Sequence, residues 1–256
     1  MAVLYESRGN IRIITIDRPE ARNAIDPETN EALREVWTAF RDDDDAWVAI
    51  LTATGDRAFC AGADLKAMNP EARATETGPR PPFGAITRDF ELWKPTIAAI
   101  NGAAFGGGLE MALACDIRVA AENAKLALSE AKWAILPGGG GTQRLPRLIP
   151  TGIALEMLFT ADAMSAERAY EVGLVNRVVP QVEVLDTALA MARQIGENGP
   201  LAVRAAKEAI YEGMAMTLAE GLELEQGLSR QLFTTEDAKE GPAAFKEKRA
   251  PRYKGK

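Results

Sequence analysis

Glu110 closes the run Ala103-Ala104-Phe105-Gly106-Gly107-Gly108-Leu109-Glu110. Three glycines between a strand and a helix permit a tight turn and a close backbone approach to a ligand. A helix that opens there leaves its first N–H groups unpaired, and its dipole favours negative charge. Such a turn suits a developing oxyanion. If the helix begins near Gly106 or Gly107, Glu110 lies in its first turn, on one face with Gly107. Taken alone, the segment reads equally as a packing turn with a helix-stabilising acid. A dinucleotide loop fits less well, because the G-x-G-x-x-G spacing is absent.

A second acid, Glu130, follows Leu126-Ala127-Leu128-Ser129 and precedes Pro137-Gly138-Gly139-Gly140-Gly141-Thr142-Gln143-Arg144. A lone carboxylate in an apolar run, if buried, has a raised pKa and can donate a proton. A Ser129–Glu130 surface turn is the plainer alternative. The glycine run is not a P-loop, which needs Gly-Lys-Ser/Thr where this chain has Gly-Thr-Gln. A third segment, Ala58-Phe59-Cys60-Ala61-Gly62-Ala63-Asp64-Leu65-Lys66, offers a second place where backbone N–H groups could meet a ligand, or simply a tight loop.

Composition narrows the chemistry. The 256 residues contain no histidine, which removes Ser-His-Asp and Cys-His catalysis, histidine-ligated zinc and imidazole proton transfer. Acid–base work falls to Glu, Asp, Lys, Tyr or Cys. The two cysteines, Cys60 and Cys115, lack metal-ligand spacing and read as reduced, packed thiols, so no metal is expected. Asp42 to Asp45 lacks the alternation of a calcium loop and reads as a solvated turn. A net charge of −7 argues against a nucleic-acid partner, although local cations and amides can still hold an anion. Thr96 to Cys115 has the length of a membrane span. It contains Asn101, Glu110 and a glycine run, so a strand, a turn and a helix describe it better. With no signal peptide and no membrane span expected, a cytoplasmic location follows.

The elements that must position these groups follow from periodicity. Strands are expected over Ile11 to Asp17, Trp47 to Thr52, Ile97 to Ile100 and Ile117 to Ala120. Helices are expected over Glu28 to Phe40, Gly107 to Cys115, Thr187 to Glu197, Pro200 to Glu212 and Thr217 to Leu232. Met68 to Pro82, polar and rich in proline, reads as a mobile loop. The rhythm is α/β, followed by helices. A chain of this length buries roughly three quarters of its unfolded surface and needs no disulfide to hold a core.

Taken in order, the three segments closely resemble the crotonase family, and within it the enoyl-CoA hydratases. The resemblance runs from Arg18-Pro19 and Arg22-Asn23-Ala24, through Lys94 to Gly102, Cys115-Asp116, Pro137 to Leu145 and Gly173 to Asn176, to Phe245 to Arg249. It implies a ββα spiral core over residues 1–195 and a C-terminal helical segment over 196–256 that mediates assembly into a trimer or a hexamer built as a dimer of trimers. It implies an oxyanion hole from the Ala63 and Gly107 amides. Glu110 and Glu130, twenty residues apart as in the hydratases, would hold water, with Glu110 as base and Glu130 as proton donor. The Gly138 N–H would help to hold that water. Ala61, Asp64, Leu65, Lys66, Phe245 and Lys248 match positions around CoA, the last two from a neighbouring subunit. No cofactor is implied, since CoA belongs to the acyl-CoA thioester substrate.

Trp133 departs from the family pattern, and would either narrow the acyl pocket or pack against the helical layer. Isomerases of the family usually lack one acid, and its dehalogenases use a histidine. A dehydratase of a 3-hydroxyacyl-CoA, such as carnitinyl-CoA, is the alternative enzyme. RNA binding, or CoA binding without activity, is the alternative of another class.

Overall fold

The computed structural model describes residues 2–64, 67 and 81–256. β1 (Val3–Arg8) and β2 (Ile11–Ile16) form an antiparallel hairpin, the first pair of a six-stranded sheet. Helix α1 (Pro27–Asp42) follows. Asp26 caps it by accepting from the Thr29 N–H at 2.7 Å, Pro27 opens its first turn, and Leu33, Trp37 and Phe40 are buried at helical spacing. At its far end Lys94 Nζ donates to the carbonyls of Phe40 and Asp43 at 2.8 and 2.5 Å, closing the last turn. The acidic run there is exposed, as expected, apart from the half-buried Asp43. Asp43 pairs with the buried Arg12 guanidinium at 2.6 Å, which helps to hold its carboxyl below the usual range against burial.

β3 (Val48–Ala53), β5 (Thr96–Ile100), β7 (Ile117–Ala121) and β10 (Arg177–Val179) complete the large sheet, in the order β1-β2-β3-β5-β7-β10 and parallel from β2 onward. β3 and β5 are buried at every residue, as expected of parallel strands covered on both faces. A smaller sheet holds β4 (Ala58–Cys60), β6 (Ala103–Phe105), β8 (Lys125–Ala127) and β9 (Met164–Ser165). The chain thus alternates: β3 and β4, β5 and β6, β7 and β8 each place one strand in either sheet. The result is the ββα core of a crotonase-like α/β fold.

Between β6 and β7 lies α2 (Gly107–Ala114), packed on β4 and β6. The buried Arg118 seals its C-terminal end, Nη1 donating to the Cys115 carbonyl at 2.7 Å and Nε to that of Leu174 at 2.7 Å. α3 (Gly141–Leu148), α4 (Thr151–Thr160) and α5 (Ala166–Glu171) follow, and α6 (Val184–Gly196) covers the large sheet. α7 (Pro200–Gly213) pairs with α8 (Leu218–Leu232), which starts on a capping box between Thr217 and Glu220. α9 (Glu236–Glu247) ends the helical part. Lys207 ties α7 to the core, donating to Asp116 Oδ2 at 2.9 Å and to the Lys94 carbonyl at 3.0 Å. Among the described residues no helix is long and apolar enough to cross a membrane.

Candidate active site

Gly106 caps α2 with φ +55° and ψ −126°, a conformation open to glycine and strained for other residues. The helix begins at Gly107, so Glu110 sits in its first turn, its own N–H donating to the Gly106 carbonyl at 3.0 Å. The next two glycines leave room for neighbours. A Cβ on Gly107 would lie 2.5 Å from the Phe83 ring, and one on Gly108 would overlap the Cys60 carbonyl of β4. The packing-turn reading and the ligand reading therefore share one structure: tight packing on β4 fixes where the free amides of the helix point.

The Ala61–Asp64 segment meets this turn from β4. Ile25 donates to the Gly62 carbonyl at 2.9 Å and accepts from the Asp64 N–H at 2.9 Å, pairing with Ala63 as a bridge. In extended chain this turns the Ala63 amide to the opposite side from Ile25. A Cβ on Gly62 would lie 3.4 Å from the Gly107 nitrogen, so the two segments stand side by side. Ala61 and Asp64 are half-buried, and Asp64 pairs with Arg18 at 3.4 Å. Leu65 and Lys66 lie outside the described residues, as does most of the Met68 to Pro82 segment.

The two glutamates stand close together, held by different turns, and the charge of Glu110 acts on Glu130. Glu110 is buried, and its Oε1 accepts from the Gly139 and Gly141 N–H groups at 2.7 and 2.8 Å. Glu130 begins a 3-10 turn, Glu130–Trp133, directly after β8. Its Oε1 would lie 3.2 Å from a Cβ on Gly106, and its Oε2 is buried without a hydrogen-bond partner among the described residues. Ser129 and Glu130 are half-buried and residues 131–136 are exposed, so the segment is a surface turn with one carboxyl oxygen turned inward.

Their environments differ in kind. Burial pushes the Glu110 carboxyl up, while the Gly141 and Gly139 amides and the Arg144 and Arg88 charges oppose the shift. Glu130 is pushed to about 7, first by burial and also by the like charge of Glu110, against the pull of its own amide. Burial raises both acids, but only Glu110 has two fixed backbone donors and nearby cations opposing that rise. Glu130 therefore takes up a proton close to neutral pH. Two carboxyls in such unequal surroundings can divide the tasks of proton acceptor and proton donor.

The remaining expected positions are less concentrated. Gly138 is exposed, one residue before the amide that grips Glu110. Phe245, near the end of α9, is 88% exposed, and Lys248 follows it as the left-handed cap. Trp133 is 64% exposed, so most of its surface is uncovered in this chain. Phe83 and Arg144 carry no expected role from the sequence, yet both touch the turns that hold the acids. Phe83 gives no signal in a polar, proline-rich stretch. Arg144 ends the glycine run, where a lone cation beside a turn is the only hint. Among the described residues no cluster of three or more His, Cys, Asp or Glu could hold a metal ion.

Known proteins share this architecture. The chain is 41% identical to an enoyl-CoA hydratase from Bacillus anthracis of solved structure, with a TM-score of 0.92 and all of both chains covered. Against an enoyl-CoA hydratase from Mycobacterium tuberculosis H37Rv the identity is 41% and the TM-score 0.93, covering 100% of this chain and 99% of the other. It is 44% identical to an (E)-benzylidenesuccinyl-CoA hydratase of Thauera aromatica over the whole of both chains. It is 47% identical to a carnitinyl-CoA dehydratase of Salmonella typhi over 97% of this chain and 96% of that one. The enoyl-CoA hydratase/isomerase family model matches residues 6–256, and with likeness of this extent in sequence and backbone the chain belongs to that family of hydro-lyases.

Proposed function

We propose that the protein adds water across the 2,3 double bond of a 2-enoyl-CoA to give a 3-hydroxyacyl-CoA. The observation that carries this reading is the proximity of two acids, Glu110 gripped by the Gly139 and Gly141 amides and Glu130 set against Gly106 with its Oε2 unpartnered among the described residues, close enough for the charge of Glu110 to act on Glu130. The Ala63 and Gly107 amides receive the thioester oxygen as it gains negative charge. A water held between the acids attacks C3 and loses a proton to Glu110, while Glu130 delivers one to C2. Gly138 helps to orient that water. Ala61, Asp64, Leu65 and Lys66 receive the CoA moiety. Phe245 and Lys248 contribute to a neighbouring subunit's CoA site, and the 196–256 helices hold the subunits as a trimer or hexamer around the 1–195 cores. No cofactor is required.

The test is loss of the conjugated enoyl absorbance of crotonyl-CoA. Glu110→Gln and Glu130→Gln should each lower kcat by about 10²–10⁴-fold. A wild-type rate retained in either variant would remove the role given to that acid. The reverse reaction, dehydration of a 3-hydroxyacyl-CoA, uses the same two acids. The 47% identity to a carnitinyl-CoA dehydratase supports it as a second reading. A panel of enoyl- and 3-hydroxyacyl-CoA substrates separates the two.

A further inference from the structure

We propose that Arg144 is a positioning residue for Glu110, clamping the glycine turn that grips its carboxylate and locking that turn to the wall that carries Phe83. Three consecutive peptide units of the turn are involved. The first supplies the Gly139 N–H and the third the Gly141 N–H, both donated to Glu110 Oε1 at 2.7 and 2.8 Å. The unit between them ends in the Gly139 carbonyl, which accepts from Arg144 Nη1 at 3.1 Å. The guanidinium therefore holds the middle of the grip without touching the acid.

The turn needs such a clamp. Gly138 to Gly141 are four glycines in succession, the backbone with the most freedom to lose. No side chain of its own can fix it. Gly140, with φ +100°, also leaves the path by which the guanidinium reaches back, because a Cβ there would overlap Arg144 Nη1.

The second arm of the fork reaches another segment. Arg144 Nη2 donates to the Thr87 carbonyl at 2.9 Å, and Thr87 Oγ1 donates to the Phe83 carbonyl at 2.8 Å. Asn30 of α1 pins the same segment, accepting from the Gly84 N–H at 2.7 Å. Phe83 in turn rests against Gly107. One side chain thus couples the base to the aromatic face over the oxyanion donor. A lysine does not reproduce the contact, since it lacks the two separate Nη donors that reach the Gly139 and Thr87 carbonyls from one planar group.

The charged groups facing Glu110 among the described residues are Arg144, the exposed Arg88 and Glu130. Facing Arg144 are Glu110, Tyr211 of α7 and Cys115. Both cations favour the ionised form of Glu110 that a base requires.

This inference rests on the hydratase reading for its kinetic arm alone. In Arg144→Lys, kcat on crotonyl-CoA should fall about a hundredfold from misplacement of the base. KM should stay within roughly threefold. Arg144→Gln should show the same loss, with the acidic limb of its pH profile moved upward. Independently of substrate, the Gly139 and Gly141 amide NMR resonances should move in both variants, and the Glu110 carboxyl, assigned with Glu110→Gln, should titrate at higher pH in both, further in Arg144→Gln, where the cation is lost as well. Unmoved glycine amides in Arg144→Lys would overturn the clamp, whether or not the wild type hydrates any enoyl-CoA. So would full kcat in that variant, or a loss confined to KM.

Discussion

A carboxyl with one buried oxygen lacking a hydrogen-bond donor among the described residues, set against a second acid, has a thermodynamic signature apart from its chemistry. Glu130 moves from the ordinary 4.5 to about 7 on folding, so between these values the folded chain keeps a proton that the unfolded chain has released. The associated stability is complete below pH 4.5 and is lost as pH rises through 7. Glu130→Gln removes the titration. Its melting temperature should exceed that of the wild type by an amount that widens from pH 4.5 to 7 and then stays constant, reaching roughly 2–4 °C. A difference independent of pH, measured by differential scanning calorimetry, would show that Glu130 does not titrate as its surroundings imply. Glu110 contrasts with it, because the two glycine amides and Arg144 act on its ionised form. Cost and role go together here: the strained member of the pair is the proposed proton donor.

At the scale of the element, α2 matters most. Its N-terminal end meets the small sheet and its C-terminal end is sealed by Arg118 from the large one. Gly106→Ala should leave secondary structure intact by circular dichroism. It should cost about 10²-fold or more in kcat/KM, because both φ +55° and the approach of Glu130 oppose a Cβ. Unimpaired turnover in this variant would mean that the helix start does not set the site. The long strands β2, β3 and β5 and the helices α1 and α6 were legible in the sequence, since apolar spacing over several turns reports a buried face directly; α7 and α8 were legible from the same spacing, although their apolar faces are largely uncovered in this chain. β4, β6, β8 and β9 were not, being two or three residues long and too short for any period to register. β1 was missed because its mixed, half-exposed pattern resembles a polar terminus. Within the site, Glu110 was legible because a glycine run fixes the helix start. The Arg144 contact to Thr87 joins residues 57 apart in sequence, a distance no local pattern spans.

At the scale of the molecule, the described C-terminal helices leave large apolar side chains uncovered: Ile210, Met214, Leu218, Leu222 and Phe233. A face of this kind is what an assembled chain would bury. Light scattering coupled to size exclusion should give three or six times 27.6 kDa at submicromolar concentration. A fully active species of 27.6 kDa would dismiss the proposed assembly. Glu110, Glu130 and the Ala63 and Gly107 amides all come from one core, so no second chain is needed to bring them together. Cys60 records the integrity of that core. Its sulfur is fully enclosed under the Gly62 loop, 3.4 Å from the Gly62 nitrogen, and burial pushes the thiol up to about 12. Electrophiles and oxidants can reach it only when the strand beneath the Ala61–Asp64 segment comes apart, so the folded chain is shielded from oxidative inactivation at that atom and carries an internal clock for its own opening.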